Sequence, residues 1–207
     1  MSPSVVGVSF PTDPKKIRQR IRSYERKLAQ EERELGAVDD SYGKRLLLGP
    51  LYMLAGDLDG ALAHFKWYEE KFPDDSPEPF QYLTWALALH RAGRGEEAFR
   101  RLYRTVLANL YLVPYLLGEG LQDLGFEPFS SDESIEYARA IPDELLALWD
   151  DEARSWARSV LDDPRVREKC KRFVEIQREL DNERPGPRRT ELIRERSALE
   201  DYRFSPA

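Results

Sequence analysis

The apolar residues of this chain recur mainly at intervals of three and four, the period of an amphipathic α-helix. The clearest example covers residues 14–35 and is followed by Gly36, a residue type that commonly ends helices. Its apolar stripe consists of Ile17, Ile21, Tyr24, Leu28 and Leu35. We expect this helix to pack within its own chain rather than in a long coiled coil with a second copy, because Glu31 interrupts the seam.

Four more helices are predicted between residues 42 and 109, arranged as two successive pairs. The first pair begins within 42–55 and ends before Pro73. The second pair covers 77–91 and 95–109, with Gly93 at the turn between its helices.

The pattern continues as helices beyond residue 110. Pro114 is expected to start a short helix that ends near Gly125. Ser130 and Glu133 have the spacing of a capping box for a helix that stops before Pro142. A further helix of about five turns is predicted from one apolar stripe. That stripe consists of Leu145, Trp149, Ala153, Trp156 and Val160.

The last two helices are predicted at roughly 164–183 and 188–203, after the cap and first residue Asp163–Pro164. The short, stiff connection 184-RPGP-187 favours an antiparallel hairpin. This hairpin either lies on the preceding helices or projects as an arm used for binding. The whole pattern predicts about nine helices, and 4-SVVGVSF-10 is the one stretch with strand-like alternation.

The first two helix pairs are copies of one pattern at a constant offset of 37 residues. The first copy contains Leu48, Tyr52, Gly56, Ala61 and Phe65. The second copy contains Trp85, Leu89, Gly93, Ala98 and Leu102. A repeated unit of this length predicts an array of similar helix hairpins.

The spacing of these residues, with Gly49 after Leu48 and Pro73 at the end, resembles the tetratricopeptide repeat, a helix hairpin of about 34 residues. The resemblance implies that Gly49 and Ala61 let two helices approach closely while larger side chains fill the flanking core. It also implies that Gly56 supplies the left-handed residue that closes the first helix.

The resemblance covers about 70 of the 207 residues and weakens along the chain. Arg45 stands where the family usually has tryptophan, and Ala86 replaces the glycine of the first copy. A third copy would begin at Leu117–Gly118, with Leu121 and Gly125, and its second half is lost. We therefore expect an all-α fold: a short tetratricopeptide-like α-solenoid of helix hairpins with additional capping helices and a C-terminal helical hairpin.

The expected organisation has three parts that form one continuous domain. Residues 1–36 form an N-terminal arm and amphipathic helix, 37–125 form the repeats, and 126–207 form a C-terminal helical extension.

The composition suits a soluble, folded protein, because 41% of the residues are hydrophobic and 34% are charged. Cys170 is the single cysteine, so no internal disulfide is possible, and we expect a cytoplasmic protein. The start of the chain lacks the apolar core of a signal peptide, and no apolar run reaches the ~20 residues that cross a bilayer.

The formal net charge of −6 is unevenly distributed. Residues 111–163 carry 3 basic and 13 acidic side chains, whereas residues 1–40 carry 8 basic and 7 acidic ones. The acidic third quarter and the low overall charge argue against nucleic acid as a partner.

Catalytic motifs are weak. The fragment 93-GRGEEA-98 matches a dinucleotide fingerprint in letters, but it follows a predicted helix rather than a strand. His64 and His90 do not flank Cys170 in sequence, and this set has no short metal-ligand spacing. The chain is therefore expected to be non-enzymatic, with no metal and no cofactor.

The expected function is a protein-protein interaction module or adaptor that binds a peptide or protein segment in a groove. In tetratricopeptide arrays the first helix of each hairpin lines the concave face, so the resemblance implies seven binding residues here, termed the concave-face residues. They are Leu46, Pro50, Met53, Leu83, Leu87, His90 and Arg91. These residues are mostly apolar, with Arg91 as an anion anchor, which favours an apolar or amphipathic ligand of unknown identity.

Two alternatives stay open. The concave-face leucines could pack against the chain's own terminal helices, which would make the protein a self-assembling structural or regulatory subunit. A small enzyme with a dispersed site ranks below both. A monomer is favoured over a homodimer, and no membrane contact is expected.

Overall fold

The computed structural model describes residues 9–38 and 43–200, and within these residues the fold is all-α with no strand. The proposed strand at 4–10 lies mostly outside the described residues. The first six helices are α1 (Pro14–Leu35), α2 (Lys44–Leu54), α3 (Leu58–Lys71), α4 (Pro79–Arg91), α5 (Gly95–Ala108) and α6 (Leu112–Leu116). The others are α7 (Ile135–Arg139), α8 (Asp143–Leu146), α9 (Asp151–Leu161), α10 (Pro164–Asn182) and α11 (Pro187–Glu200), with a 3₁₀ turn at Ser131–Glu133.

Local sequence signals explain the bounds of α1. The Asp13 side chain accepts hydrogen bonds from the backbone N–H groups of Lys15 and Lys16, at 2.7 and 3.2 Å. Pro14 takes the first helical position, and Gly36 ends the helix with a φ of 68°. Helix α1 packs on α2 of the same chain, as expected from its stripe.

Two antiparallel helix hairpins, α2–α3 and α4–α5, form the centre of the molecule, and α2 also packs on α4. Phe65 of the first hairpin is fully buried and stacks on Trp85 of the second, with ring centroids 5.0 Å apart. Gly56 and Gly93 have φ values of 73° and 72°, which are the left-handed conformations expected at the two interhelical turns.

The prediction of a helix from Pro114 to near Gly125 is wrong. Helix α6 begins before Pro114 and ends at Leu116, and 117–130 contains no helix. Gly118 and Gly125 both adopt positive φ, and Gly120 lies between them. Because glycine costs a helix about 1 kcal/mol relative to alanine, this stretch favours a loop, and the array stops after two full hairpins.

Asn109 holds the end of that loop against α5. Its side-chain amide donates to the carbonyls of Asp132 and Ser134, at 2.6 and 3.0 Å. Its side-chain oxygen accepts from the Tyr111 N–H at 2.9 Å. These bonds satisfy polar backbone groups at the end of α5 and in the segment that leads into α7.

The predicted capping box at Ser130 and Glu133 is also wrong. Helix α7 begins at Ile135, and the Ser134 hydroxyl accepts from the Tyr137 N–H at 3.1 Å. Glu133 accepts from the Phe129 N–H and also bonds Arg196 of α11. The side chain of Glu133 is therefore used in tertiary contacts rather than in the local box.

The single five-turn helix predicted from the stripe at 145–160 is two helices, α8 and α9. The Asp150 side chain accepts from the Ala153 N–H at 2.9 Å and so starts a new helix. Trp149 remains buried beside this break. The same stripe therefore faces the core, but through two separate helices.

Helices α10 and α11 form an antiparallel hairpin, because Arg172 pairs with Glu195 and Arg188 pairs with Glu179. The hairpin lies on the body: α10 packs on α5 and α9, and the Tyr103 hydroxyl donates to the Leu199 carbonyl at 2.6 Å. The buried apolar side chains form one continuous cluster from Phe10 to Leu199. The count of eleven α-helices in the described residues exceeds the expected nine, mainly because helices in the second half are short.

Candidate functional site

The structure buries most of the concave-face residues. Leu83 and Leu87 are 1% and 0% exposed, and the apolar side chains on α2 are buried as well. The buried residues are Leu46, Pro50, Met53, Leu83 and Leu87. His90 is half-buried and Arg91 is exposed. These five buried side chains are inaccessible to a partner while the chain keeps this fold.

Helices from the second half of the chain pack against the helices that carry this face. Helix α8 packs on α2. The Tyr137 hydroxyl donates to the Glu78 carboxylate at 3.2 Å and accepts from the Phe80 N–H at 3.4 Å, which joins α7 to the start of α4. Burial is the main cause that raises the pKa of Tyr137 well above its ordinary value, with Glu78 adding to it, so the hydroxyl stays protonated.

The two polar concave-face residues also contact the chain itself. The His90 ring stacks on Trp156, with centroids 4.1 Å apart. The Arg91 guanidinium donates to the Leu148 carbonyl at 2.5 Å and lies 3.4 Å from the Asp150 carboxylate. Arg91 therefore secures the segment between α8 and α9, in place of the external anion that sequence reasoning assigned to it.

The opposite side of the hairpins is open. A groove of about 650 Å³ lies between α3 and α5, with α4 as its floor, and is termed the α3–α5 groove. A volume of this size falls within the ~300–1,000 Å³ range of ligand sites. Its lining residues are Leu62, Ala63, Lys66, Glu69, Glu70, Trp85, Leu89, Arg94, Glu97, Arg100, Arg101, Arg104 and Glu200.

The floor of the α3–α5 groove is apolar and its walls are charged. Trp85 and Leu89 of α4 form the floor. The Arg101 guanidinium lies 3.5 Å from the centre of the Trp85 ring and pairs with Glu69 of α3. Burial is the main cause that lowers the pKa of Arg101, although Glu69 opposes it. Arg101 thereby ties the two walls together across the floor.

Arg104 differs from the other arginines of the groove. Its guanidinium lies 5.3 Å from the centre of the Tyr82 ring, and within residues 9–38 and 43–200 no carboxylate pairs with it. It is half-buried and lines both the α3–α5 groove and an adjoining pocket of about 230 Å³. Arg104 is therefore a charged group with room for an anion beside an apolar surface.

The sequence analysis did not predict this groove. The pattern that could have indicated it is the recurrence of Arg94, Arg101 and Arg104 at spacings of seven and three, which places these arginines on one side of a helix. Charged residues of both signs in the same helix, including Glu96 and Glu97, made that side look like an ordinary solvated face.

The residues considered for catalysis are dispersed. The buried His64 ring bonds the Arg45 carbonyl at 2.7 Å. Burial raises the pKa of the Cys170 thiol to about 12, which keeps it protonated. Gly93 lies in the α4–α5 turn, and the following glutamates pair with Arg94 and Arg100. Across the described ranges, no group of three His, Cys, Asp or Glu side chains is placed to hold a metal.

No helix in the described part of the chain combines the length and apolarity needed to cross a bilayer. The fold defines an all-α protein with two central helix hairpins. No protein-family model, curated protein or solved structure matches the chain.

Proposed function

We propose that this chain is a non-enzymatic protein-binding module with a tetratricopeptide-like array, and that its ligand lies in the α3–α5 groove. The observation that carries this proposal is the half-buried guanidinium of Arg104, which pairs with no carboxylate of the described chain and lies beside an apolar floor. Cationic arginine beside an apolar surface suits a peptide that supplies both an acidic and an apolar side chain.

The tetratricopeptide assignment is supported by equivalent burial at equivalent positions. Ala61 and Ala98 are both fully buried, and so are Phe65 and Leu102. The close approach at Gly49 adds further support. A single reduced cysteine is consistent with a cytoplasmic location for this function.

The ligand we propose is an amphipathic segment. An apolar stripe would contact Trp85 and Leu89, and an acidic side chain on its edge would reach Arg104. On the α5 wall four arginines outnumber Glu97, whereas on the α3 wall Glu69 and Glu70 outnumber Lys66. This asymmetry of charge would set the direction in which the segment lies.

Selection from a displayed library of 16-residue peptides tests this function without a known partner. We expect selected peptides to carry apolar residues at helical spacing with an acidic residue alongside. Their affinity should fall at least about tenfold for Arg104→Glu, the cost of losing about one charge-assisted hydrogen bond.

Arg139→Glu is the matched control, because Arg139 is exposed on α7 and distant in sequence from the groove. Equal binding of the selected peptides to wild type and to Arg104→Glu would reject the α3–α5 groove as the site.

A second candidate function is self-assembly. The observation in its favour is that five of the concave-face residues are buried within the chain's own fold, as this function requires.

A further inference from the structure

Helix α1 carries an unusual concentration of positive charge on its outer face. Between residues 15 and 27 there are seven basic side chains and one acidic side chain, Glu25. The apolar side of the helix is buried through Ile17, Ile21 and Leu28. Four exposed cations follow one face and are termed the α1 basic stripe. They are Lys15, Arg18, Arg22 and Arg26.

The charges of the α1 basic stripe are not neutralised by the described chain. Within residues 9–38 and 43–200 its members make no ion pair, and Arg26 bonds only the Arg22 carbonyl, at 3.2 Å. The C-terminal hairpin behaves differently, because Arg172 alone meets Glu175, Glu179 and Glu195.

This arrangement is locally unfavourable for α1. Arg18, Arg22 and Arg26 repel one another at spacings of four residues. Lys15 and Lys16 lie in the first turn, where the helix dipole favours acidic residues, and that turn contains none. A helix that departs from local electrostatic preference on an exposed face indicates a role for that face outside the helix itself.

A comparable density of acidic residues along the sequence lies at the starts of α8 and α9, and these residues are together termed the acidic ridge. Its members are Asp143, Glu144, Asp150, Asp151 and Glu152, with no basic residue among positions 143–152. Asp151 and Glu152 are exposed and make no ion pair with any described residue. Asp150 pairs with Arg91 and caps α9, so it is already used within the chain.

The α1 basic stripe and the α9 part of the acidic ridge lie on helices that pack on different neighbours. Helix α1 packs on α2, whereas α9 packs on α5, α6 and α10; α8, which carries Asp143 and Glu144, packs on α2. No ion pair joins the two surfaces among the described residues. Charges of opposite sign that are exposed and unpaired within the described chain are available to pair between copies.

The dimensions favour a short acidic partner over a long polyanion. The stripe covers 12 residues from Lys15 to Arg26, and the 11 steps between them rise about 17 Å along the helix axis. A nucleic acid would continue beyond the stripe and approach a protein of net charge −6, which repels it. A compact acidic ridge can match the stripe without that repulsion.

We propose that the α1 basic stripe binds the acidic ridge of a second copy of this chain. The two contacting surfaces are different, so the association is head-to-tail, and a dimer keeps one free stripe on one copy and one free ridge on the other. Exposed ion pairs contribute about 0–1 kcal/mol each and are screened by salt, so the association is weak and favoured at low ionic strength. It does not depend on ligand binding in the α3–α5 groove.

Sedimentation velocity of the full chain at about 0.02 M and about 0.5 M salt tests the proposal, because the screening length falls from tens of ångströms to a few. We expect concentration-dependent association at low salt and monomers at high salt. The stripe variant Arg18→Glu, Arg22→Glu should be monomeric at both. The ridge variant Asp151→Lys, Glu152→Lys should also be monomeric at both.

An equimolar mixture of the two variants is the decisive sample. In the mixture, the acidic stripe of the first variant can bind the basic ridge of the second. The mixture should therefore associate at low salt although neither variant does so alone. The control Arg139→Glu, Arg194→Glu changes the net charge as much as the stripe variant does and should associate like wild type. Circular dichroism checks that each variant is folded.

Three results would overturn the proposal: a monomeric wild type at low salt, unimpaired association of the stripe variant, or failure of the mixture to associate. A labelled 20-nucleotide single strand provides the remaining comparison. If it binds a monomeric wild type and not the stripe variant, the α1 basic stripe is a nucleic-acid site and not a self-association surface.

Discussion

Gly49 of α2 lies directly against the ring of Phe65 on α3: a β-carbon at Gly49 would be 2.3 Å from Phe65 Cε1. The ring has little freedom to move, because it is fully buried and stacked on Trp85. The contact explains why the smallest residue lies at this point of the first hairpin and why two helices can approach so closely there.

We predict that Gly49→Ala destabilises the protein by about 1–3 kcal/mol, because the added methyl group forces Phe65 off its position. Urea unfolding measures this change. Gly95→Ala is the matched control, because a β-carbon at Gly95 meets nothing within 4 Å, and it should leave stability unchanged or raise it slightly. Equal effects of the two substitutions would contradict the close approach.

The double substitution Leu83→Glu, Leu87→Glu should unfold the protein or lower its stability by more than about 4 kcal/mol. Both side chains are at most 1% exposed, so the variant buries two unpaired carboxylates. Thermal unfolding measures the effect. Leu35→Glu, at a position that is 64% exposed, should melt close to wild type. A melting temperature unchanged by the double substitution would mean that the concave face is open in solution.

Ser134→Ala should cost about 1 kcal/mol, because its hydroxyl accepts from the Tyr137 N–H at the start of α7. Ser130→Ala should have a much smaller effect, since the Ser130 side chain makes no capping bond. Urea unfolding of both variants compares the two caps. A larger loss of unfolding free energy for Ser130→Ala than for Ser134→Ala would support the capping box predicted from the sequence.

Asp75 should make stability depend on pH in the acidic range. Burial acts to raise the pKa of its carboxyl, but hydrogen bonds from Tyr68 at 2.6 Å and Arg45 at 3.0 Å outweigh burial and leave the pKa below its ordinary value. A depressed pKa gives stability that is present above about pH 4 and is lost as the pH falls through the folded-state pKa.

We therefore predict that Asp75→Asn is less stable than wild type near pH 6 and that this difference shrinks as the pH falls below about 4. Urea midpoints between about pH 6 and pH 2 test the prediction. Asp59→Asn gives a reference for a carboxylate that is not paired in the described chain. A constant difference across the range would show that Asp75 titrates normally.

Helix α1 and the two central hairpins could be predicted because their signals are local. Asp13, Pro14 and Gly36 set the bounds of α1 through hydrogen bonds and backbone angles within a few residues. Gly56 and Gly93 mark turns whose positive φ favours glycine. Small residues at a constant offset likewise predict a repeated close approach before any contact is known.

The second half of the chain was harder to predict because its local signals compete with tertiary contacts. The apolar stripe from Leu145 to Val160 correctly indicates which side chains face inward, but Asp150 breaks the helix that the stripe implies. Glu133 has the right spacing for a local cap and instead bonds Gln177 and Arg196, which lie far along the chain.

The candidate binding surface depended on the tertiary structure most of all. By itself, the sequence determined that Leu83 and Leu87 are apolar residues on the first helix of a hairpin, and this was compatible with either an open or a filled concave face. Tertiary packing decided between the two: α8, which begins about 60 residues after Leu83, packs on α2, and Tyr137 of α7 bonds Glu78 and Phe80 at the start of α4. The hydrophobic effect is non-directional, so whether Leu83 is buried depends on which distant segment packs against it. The spacing of residues near Leu83 therefore could not reveal its burial. Arg104 illustrates the converse, because an arginine without a carboxylate partner is recognised only when every neighbour in space is known.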